Sequence, residues 1–131
     1  DAGGIKRVSP YLKARCDAAT LHFKTKLVIS KEEDFFGPGV YHLLQYIDET
    51  GSIQAAAAKM NMSYSKGWKM INKVEKELGF RFLNRCNGGK NGGSSTITPE
   101  ARLFMERYHA MLEDMKRITR GFFEVYFGEF Q

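Results

Sequence analysis

The sequence predicts a mainly α fold with a small β wing: a winged helix-turn-helix followed by one long C-terminal helix. Three observations carry that prediction. Ser52 to Leu78 read as two helices meeting at a tight corner, and a glycine-rich hairpin follows directly. From Pro99 onward, apolar residues then recur at alternating spacings of three and four. The divisions are a weakly patterned extension over 1–20, the winged unit over 21–98, and a long helix with an aromatic tail over 99–131.

Leu21, Phe23, Thr25, Leu27 and Ile29 alternate with His22, Lys24 and Lys26, the pattern of a half-buried strand. The turn-rich D-F-F-G-P-G at 34–39 ends that section. A helix then starts at Pro38 or Gly39, with Val40, Leu43, Leu44 and Ile47 as its apolar face and Gly51 as its stop. Ser52 is placed to cap the next helix, which runs through the strong helix formers Ala55 to Ala58 and breaks at Asn61 and Met62. Ser63 caps a second helix ending at Gly79. Its apolar stripe is Gly67, Ile71, Val74 and Leu78, with Trp68 beside it. The opposite side carries Ser65, Lys66, Lys69, Asn72, Lys73 and Lys76, groups that hydrogen-bond base edges or neutralise phosphates. Lys66 and Lys69 sit in the first turns, where the helix dipole disfavours cations, so an anionic partner would resolve the conflict.

After Gly79, Phe80, Phe82 and the residues beyond read as a short strand, N-G-G-K-N-G-G-S-S as a loop, and Thr96 to Thr98 as the returning strand. The loop's Lys90 and Asn91 suit sugar-phosphate contact. A phosphate-binding P-loop is excluded, because the glycine run lacks the G-K-[ST] that must open a helix. Thr98-Pro99-Glu100 is a helix start, with a cap, a proline at the first helical position and an acid at the positive dipole end. Ala101, Phe104, Tyr108, Met111, Met115, Ile118, Phe122 and Val125 then form a heptad seam. Within it, Phe104, Tyr108, Met111, Met115, Ile118 and Phe122 are expected to make a homodimer, and the aromatic tail to pack against the partner chain.

Charge distribution supports the same reading. The net charge is +5 over 131 residues, but residues 1–51 are neutral, 52–98 carry eight basic and two acidic side chains, and 99–131 carry five and six. The excess therefore lies in the helix-turn-helix and wing, the footprint of a nucleic-acid site. Cys16 and Cys86 do not make a disulfide framework, and His22, His42 and His109 lack partners at metal-ligand spacing. No apolar run has the length of a membrane span. The expectation is a soluble cytoplasmic protein with no membrane contact, no metal, no cofactor and no enzymatic activity, since no nucleophile-base pairing is legible.

The stretches G-S-I-Q-A-A-A, M-S-Y-S-K-G-W and I-T-P-E, in this order and at these distances, resemble the N-terminal winged helix-turn-helix domain of ModE-type molybdate-responsive regulators. That domain is itself related to the DNA-binding domain of LysR-type regulators. The resemblance covers about residues 21–125. It implies a dimeric, sequence-specific DNA-binding domain, with Ser63 to Lys73 reading the major groove, the wing at 87–95 on the flank, and the helix from Pro99 making the dimer. Full-length members continue into oxyanion-binding domains, whereas this sequence ends at Gln131, so molybdate binding is not expected of it. The expected function is transcription regulation on double-stranded DNA, at a palindromic operator. The named DNA-contacting residues are Ser52, Ser63, Tyr64, Ser65, Lys66, Lys69, Asn72, Lys73, Lys90 and Asn91. The alternative is a winged-helix interaction module whose basic face binds an acidic protein.

Overall fold

Local signals place most of the elements where the residues demand them. The structure, a computed structural model, describes residues 20–86 and 93–131. Its elements are β1 (Ile29–Ser30), β2 (Asp34–Phe36), α1 (Pro38–Thr50), α2 (Ile53–Lys59), α3 (Tyr64–Leu78), β3 (Leu83–Cys86), β4 (Ser94–Ile97) and α4 (Pro99–Phe127), with a closing 3-10 turn at Gly128–Phe130. The expected extension falls outside the described residues up to position 19, as do the wing positions Lys90 and Asn91.

The helix boundaries are chemical. α1 has Pro38 in its first turn and ends on Gly51, which takes the left-handed conformation (φ 73°) and donates its N–H to the Ile47 carbonyl at 2.7 Å. In α2 the Ser52 hydroxyl accepts from the Ala55 amide at 3.0 Å. Its other end is turned by Asn61 at φ 57°, so that Asn61 donates to Ala58 O at 3.1 Å and Met62 to Ala57 O at 3.0 Å. This is the Schellman closure, made possible by asparagine's tolerance of the left-handed region. Ser63 then caps α3 by accepting from the Lys66 amide at 3.1 Å, and Gly79 (φ 81°) stops it.

The described chain divides into two compact units, Lys26–His109 and residues 20–25 together with 110–131. In the first, α1, α2 and α3 bury Leu43, Leu44, Ile47, Ala56, Ile71 and Val74 against Phe82, Leu83 and Ala101. β3 and β4 pair antiparallel from Leu83↔Ile97 to Cys86↔Ser94. The Ser95 amide reaches Gly51 O at 2.8 Å, which ties the wing to the entry of α2. Buried Thr98 makes three bonds through its hydroxyl and amide. Its hydroxyl donates to Arg81 O at 2.7 Å and accepts from the Ala101 amide at 3.1 Å, and its own amide donates to Phe82 O at 3.0 Å.

One expectation is corrected here. The strand read over Leu21 to Ile29 exists only at Ile29–Ser30, and its partner is Asp34–Phe36, which the turn signals had claimed. The reason is burial: Phe35 and Phe36 both enter the core, and Phe36 meets Phe104 and Tyr108 edge-on at 4.8 and 4.9 Å. Residues 21–28 pair with no strand, and the Leu27 carbonyl instead accepts the Tyr108 hydroxyl at 2.8 Å. Beyond Thr98 the same compact unit continues to His109. The first turns of α4 supply Ala101, Met105 and Tyr108 to its core. Phe104 packs on Phe82 at 5.7 Å, and Tyr108 is buried within its own chain.

In the second unit, Phe123 packs on Phe23 at 5.0 Å and on Phe127 at 5.6 Å, with Arg120 over the Phe23 ring. Part of the aromatic tail thus contacts its own chain. Met111, Ile118, Phe122, Val125 and Tyr126 remain exposed, and Met115 is half-buried.

Candidate nucleic-acid interface

α3 presents two chemistries on two faces. Gly67, Ile71 and Val74 are buried, and Leu78 is half-buried, as the stripe demanded. Turned roughly opposite are Ser65, Lys66, Lys69, Asn72 and Lys76, all exposed, since helical residues three and four apart share a face. Lys66, Lys69 and Lys76 form no ion pair among the described residues. Tyr64 stands half-exposed at the N-terminal end. Ser63 is exposed and Ser52 half-buried, each with its hydroxyl oxygen already accepting a capping amide.

Lys73 behaves differently from its neighbours. Its ammonium donates to Glu33 in the β1–β2 turn at 2.8 Å, and Lys31 of the same turn donates to the Glu77 carbonyl at 2.6 Å. The hydrogen bond from Lys73, followed by its charge, holds the Glu33 carboxyl below its ordinary value. The same bond raises Lys73. The acidic turn thus already occupies one lysine of the basic face.

On the other flank of α3 the wing meets the helix. Glu75 accepts from the Phe82 amide at 2.7 Å, from the Leu83 amide at 3.3 Å and from Arg85 Nη2 at 3.3 Å. The Arg85 guanidinium lies 4.0 Å from the centroid of the Trp68 ring, and Trp68 meets Tyr64 edge-on at 6.3 Å. Ser52, Gln54, Tyr64, Trp68, Arg85, Ser94 and Ser95 line a cleft between α2, α3 and the wing. The sequence reading placed Trp68 beside the stripe and left Arg85 without a role. Only its spacing two residues past Leu83 in an alternating strand could have indicated it.

Among the described residues no cluster of His, Cys, Asp or Glu could hold a metal ion, and no helix is long and apolar enough to cross a membrane. Cys86 is a free, exposed thiol on β3.

Comparison with known proteins places this geometry. Residues 41–102 match the family described as bacterial regulatory helix-turn-helix protein, lysR family. The transcriptional regulator ModE of Haemophilus influenzae is 34% identical over 74 residues, covering 56% of this chain and 29% of that protein. The molybdenum-pterin-binding protein MopB of Rhodobacter capsulatus is 30% identical over 80 residues, 61% of this chain and 30% of that protein. The molybdenum transport protein ModE of Herbaspirillum seropedicae is 32% identical over 85 residues, 65% and 30%. The chain thus spans about 30% of the length of these relatives. The crystal structure of the BenM_DBD/catB site 1 DNA complex aligns with a TM-score of 0.49 at 23% identity, over 68% of this chain and 92% of that chain. The matched segment holds the α2–α3 corner, the basic face and both wing strands, and over it the chain is similar to the lysR-type helix-turn-helix and to the ModE regulators.

Proposed function

We propose that this chain is a sequence-specific, duplex-DNA-binding transcription regulator that acts as a homodimer. The observation that carries the reading is the outer face of α3: exposed Ser65, Lys66, Lys69, Asn72 and Lys76 on a helix whose other side is locked into the core. A helix of this width enters the major groove, where serine and asparagine read base edges while lysines contact guanine or the phosphates. Such a face on a rigid helix keeps its side chains in register with the duplex. The wing at 87–95 contacts the flanking backbone. Exposed Met111, Ile118, Phe122 and Val125, spaced seven, four and three along α4, supply the seam for a second copy. Two-fold symmetry of the protein then requires a palindromic operator.

The test is selection of bound duplexes from a random pool with the purified chain, followed by a salt titration of the best sequence. The expected outcome is an enriched inverted repeat, with log affinity falling linearly against log salt. Recovery of no duplex, or enrichment of single half-sites alone, would refute the dimeric DNA-binding reading.

A further inference from the structure

We propose that Glu75, Arg85 and Trp68 form a positioning link that sets the angle of the wing against the recognition helix, and so fixes which stretch of duplex both contact at once. The proposal rests on the DNA-binding reading above and adds residues and a task that the exposed face of α3 does not supply.

The link ties two elements by three distinct interactions. Glu75 lies on α3, one turn before its glycine stop, and its side chain is only 13% exposed. Its carboxylate accepts from the amides of Phe82 and Leu83, which fixes where β3 begins relative to α3. Arg85 comes two residues later on the same strand and is 19% exposed. It donates to the other oxygen of Glu75 and lies over Trp68, which fixes the roll of the strand about its own axis. Start and roll together determine the direction in which the β3–β4 hairpin leaves the domain. Trp68 stands four residues after Tyr64 and four before Asn72 on α3, so the stack reports directly on the helix that carries the basic face.

Stability alone explains this arrangement poorly. Arg85 Nε is buried and finds no acceptor among the described residues, an unsatisfied donor that a well-packed apolar side chain would not leave. A planar guanidinium held on one edge by a carboxylate and on one face by an indole has a single defined orientation, which a flexible apolar chain lacks. Orientation is what a two-element reader needs. The helix contacts a groove and the hairpin contacts the backbone, and both must be satisfied on one rigid duplex, where displacement of either by about 1 Å weakens its hold.

The experiment compares the parent chain with Arg85→Met, Arg85→Lys and Trp68→Leu on the duplex that the parent selects. It reads affinity, hydroxyl-radical footprint, salt dependence and circular dichroism. In the Arg85 variants it also reads tryptophan emission, which comes from Trp68 alone because the chain has one tryptophan. Arg85→Met is expected to keep parental helicity, to shift the Trp68 emission and to lose affinity about tenfold, within the range by which such coupled positions act. Its footprint should shorten at the outer flanks while the centre stays protected. Arg85→Lys retains the charge without the planar stack and should fall between. Trp68→Leu removes the stack from the other side and should shorten the footprint in the same place.

A folded Arg85→Met or Trp68→Leu with parental affinity and full footprint overturns the proposal. Unfolding of both variants assigns the link to stability and also overturns it. If the parent itself selects no duplex, the DNA-binding reading fails and this inference fails with it. A parent that binds while its variants match it removes the inference alone.

Discussion

Gly67 sits where α3 crosses α2, and its small size invites the idea that nothing larger fits. The geometry says otherwise. A Cβ built on Gly67 would lie 3.5 Å from Ala57 Cβ, 3.6 Å from Ile53 Cγ2 and 3.9 Å from Leu43 Cδ2, all ordinary van der Waals distances. Gly67→Ala therefore adds a buried methyl without a clash. It also replaces the poorest non-proline helix former with the best, a gain of about 0.8–1.0 kcal/mol, partly through the smaller entropy of the unfolded chain. Burial of the methyl contributes up to about 0.8 kcal/mol more, less whatever repacking it forces. A net stabilisation of about 1 kcal/mol is expected. With a urea m-value of about 1–3 kcal/mol/M, the unfolding midpoint should rise by about 0.3–1 M at unchanged slope. Gly67→Leu cannot be accommodated in the same space and should lose about 1–3 kcal/mol by overpacking. Because Gly67 faces inward, DNA affinity of the alanine variant should equal that of the parent. A fall in the midpoint for Gly67→Ala would refute the reasoning, and would mean that the α2–α3 crossing tolerates no side chain at all.

Further outcomes are expected on the interface and the scaffold. Lys66→Ala with Lys69→Ala should weaken operator binding and make the salt slope shallower by about 0.9 for each phosphate that the variant no longer neutralises, measured by anisotropy titration across salt. Glu33→Gln releases Lys73 from its 2.8 Å partner and removes a nearby anion, so duplex affinity at low salt should rise and the slope steepen. An unchanged slope would show that Lys73 lies away from the DNA. Thr98→Ala removes the cap of α4 and the donor to Arg81 O, and should cost about 1–3 kcal/mol in urea unfolding. Phe122→Glu or Met115→Lys places a charge in the proposed seam, and sedimentation should then give a monomer where the parent gives a dimer. A monomeric parent at micromolar concentration would refute the seam.

Much of this architecture is legible in the residues because it is set by short-range chemistry. Ser52 and Ser63 accept the amides that their positions call for, Gly51 and Gly79 take the left-handed turn, and Thr98 caps α4 ahead of Pro99. The α3 face follows from the same periodicity that buries Ile71 and Val74. Where the reading failed, two patterns competed for the same residues. The alternation over 21–29 satisfies a strand, yet the Leu27 carbonyl pairs with Tyr108, 81 positions away in sequence. Turn signals at Gly37 to Gly39 hid the strand at Asp34–Phe36, whose two phenylalanines are both buried, Phe36 against aromatic rings on distant elements. The heptad seam is genuine as spacing, but periodicity says only which residues share a side of a helix. It does not say what covers them, and along α4 that side is filled by the chain's own core at Tyr108 and left exposed at Ile118.

The sequence by itself determined the helix starts and stops, the hairpin after Gly79, the basic face of α3 and its charge, because each depends on groups within a few residues of one another. Only the tertiary structure decided that Glu33 holds Lys73, that Tyr108 belongs to the domain core with Phe104 against it through Phe36, and that Arg85 is held between Glu75 and Trp68. Those pairings join groups 10 to 81 positions apart. Whether such residues meet depends on how the helices and strands cross when the apolar faces are buried together, and no local pattern in the chain encodes that crossing.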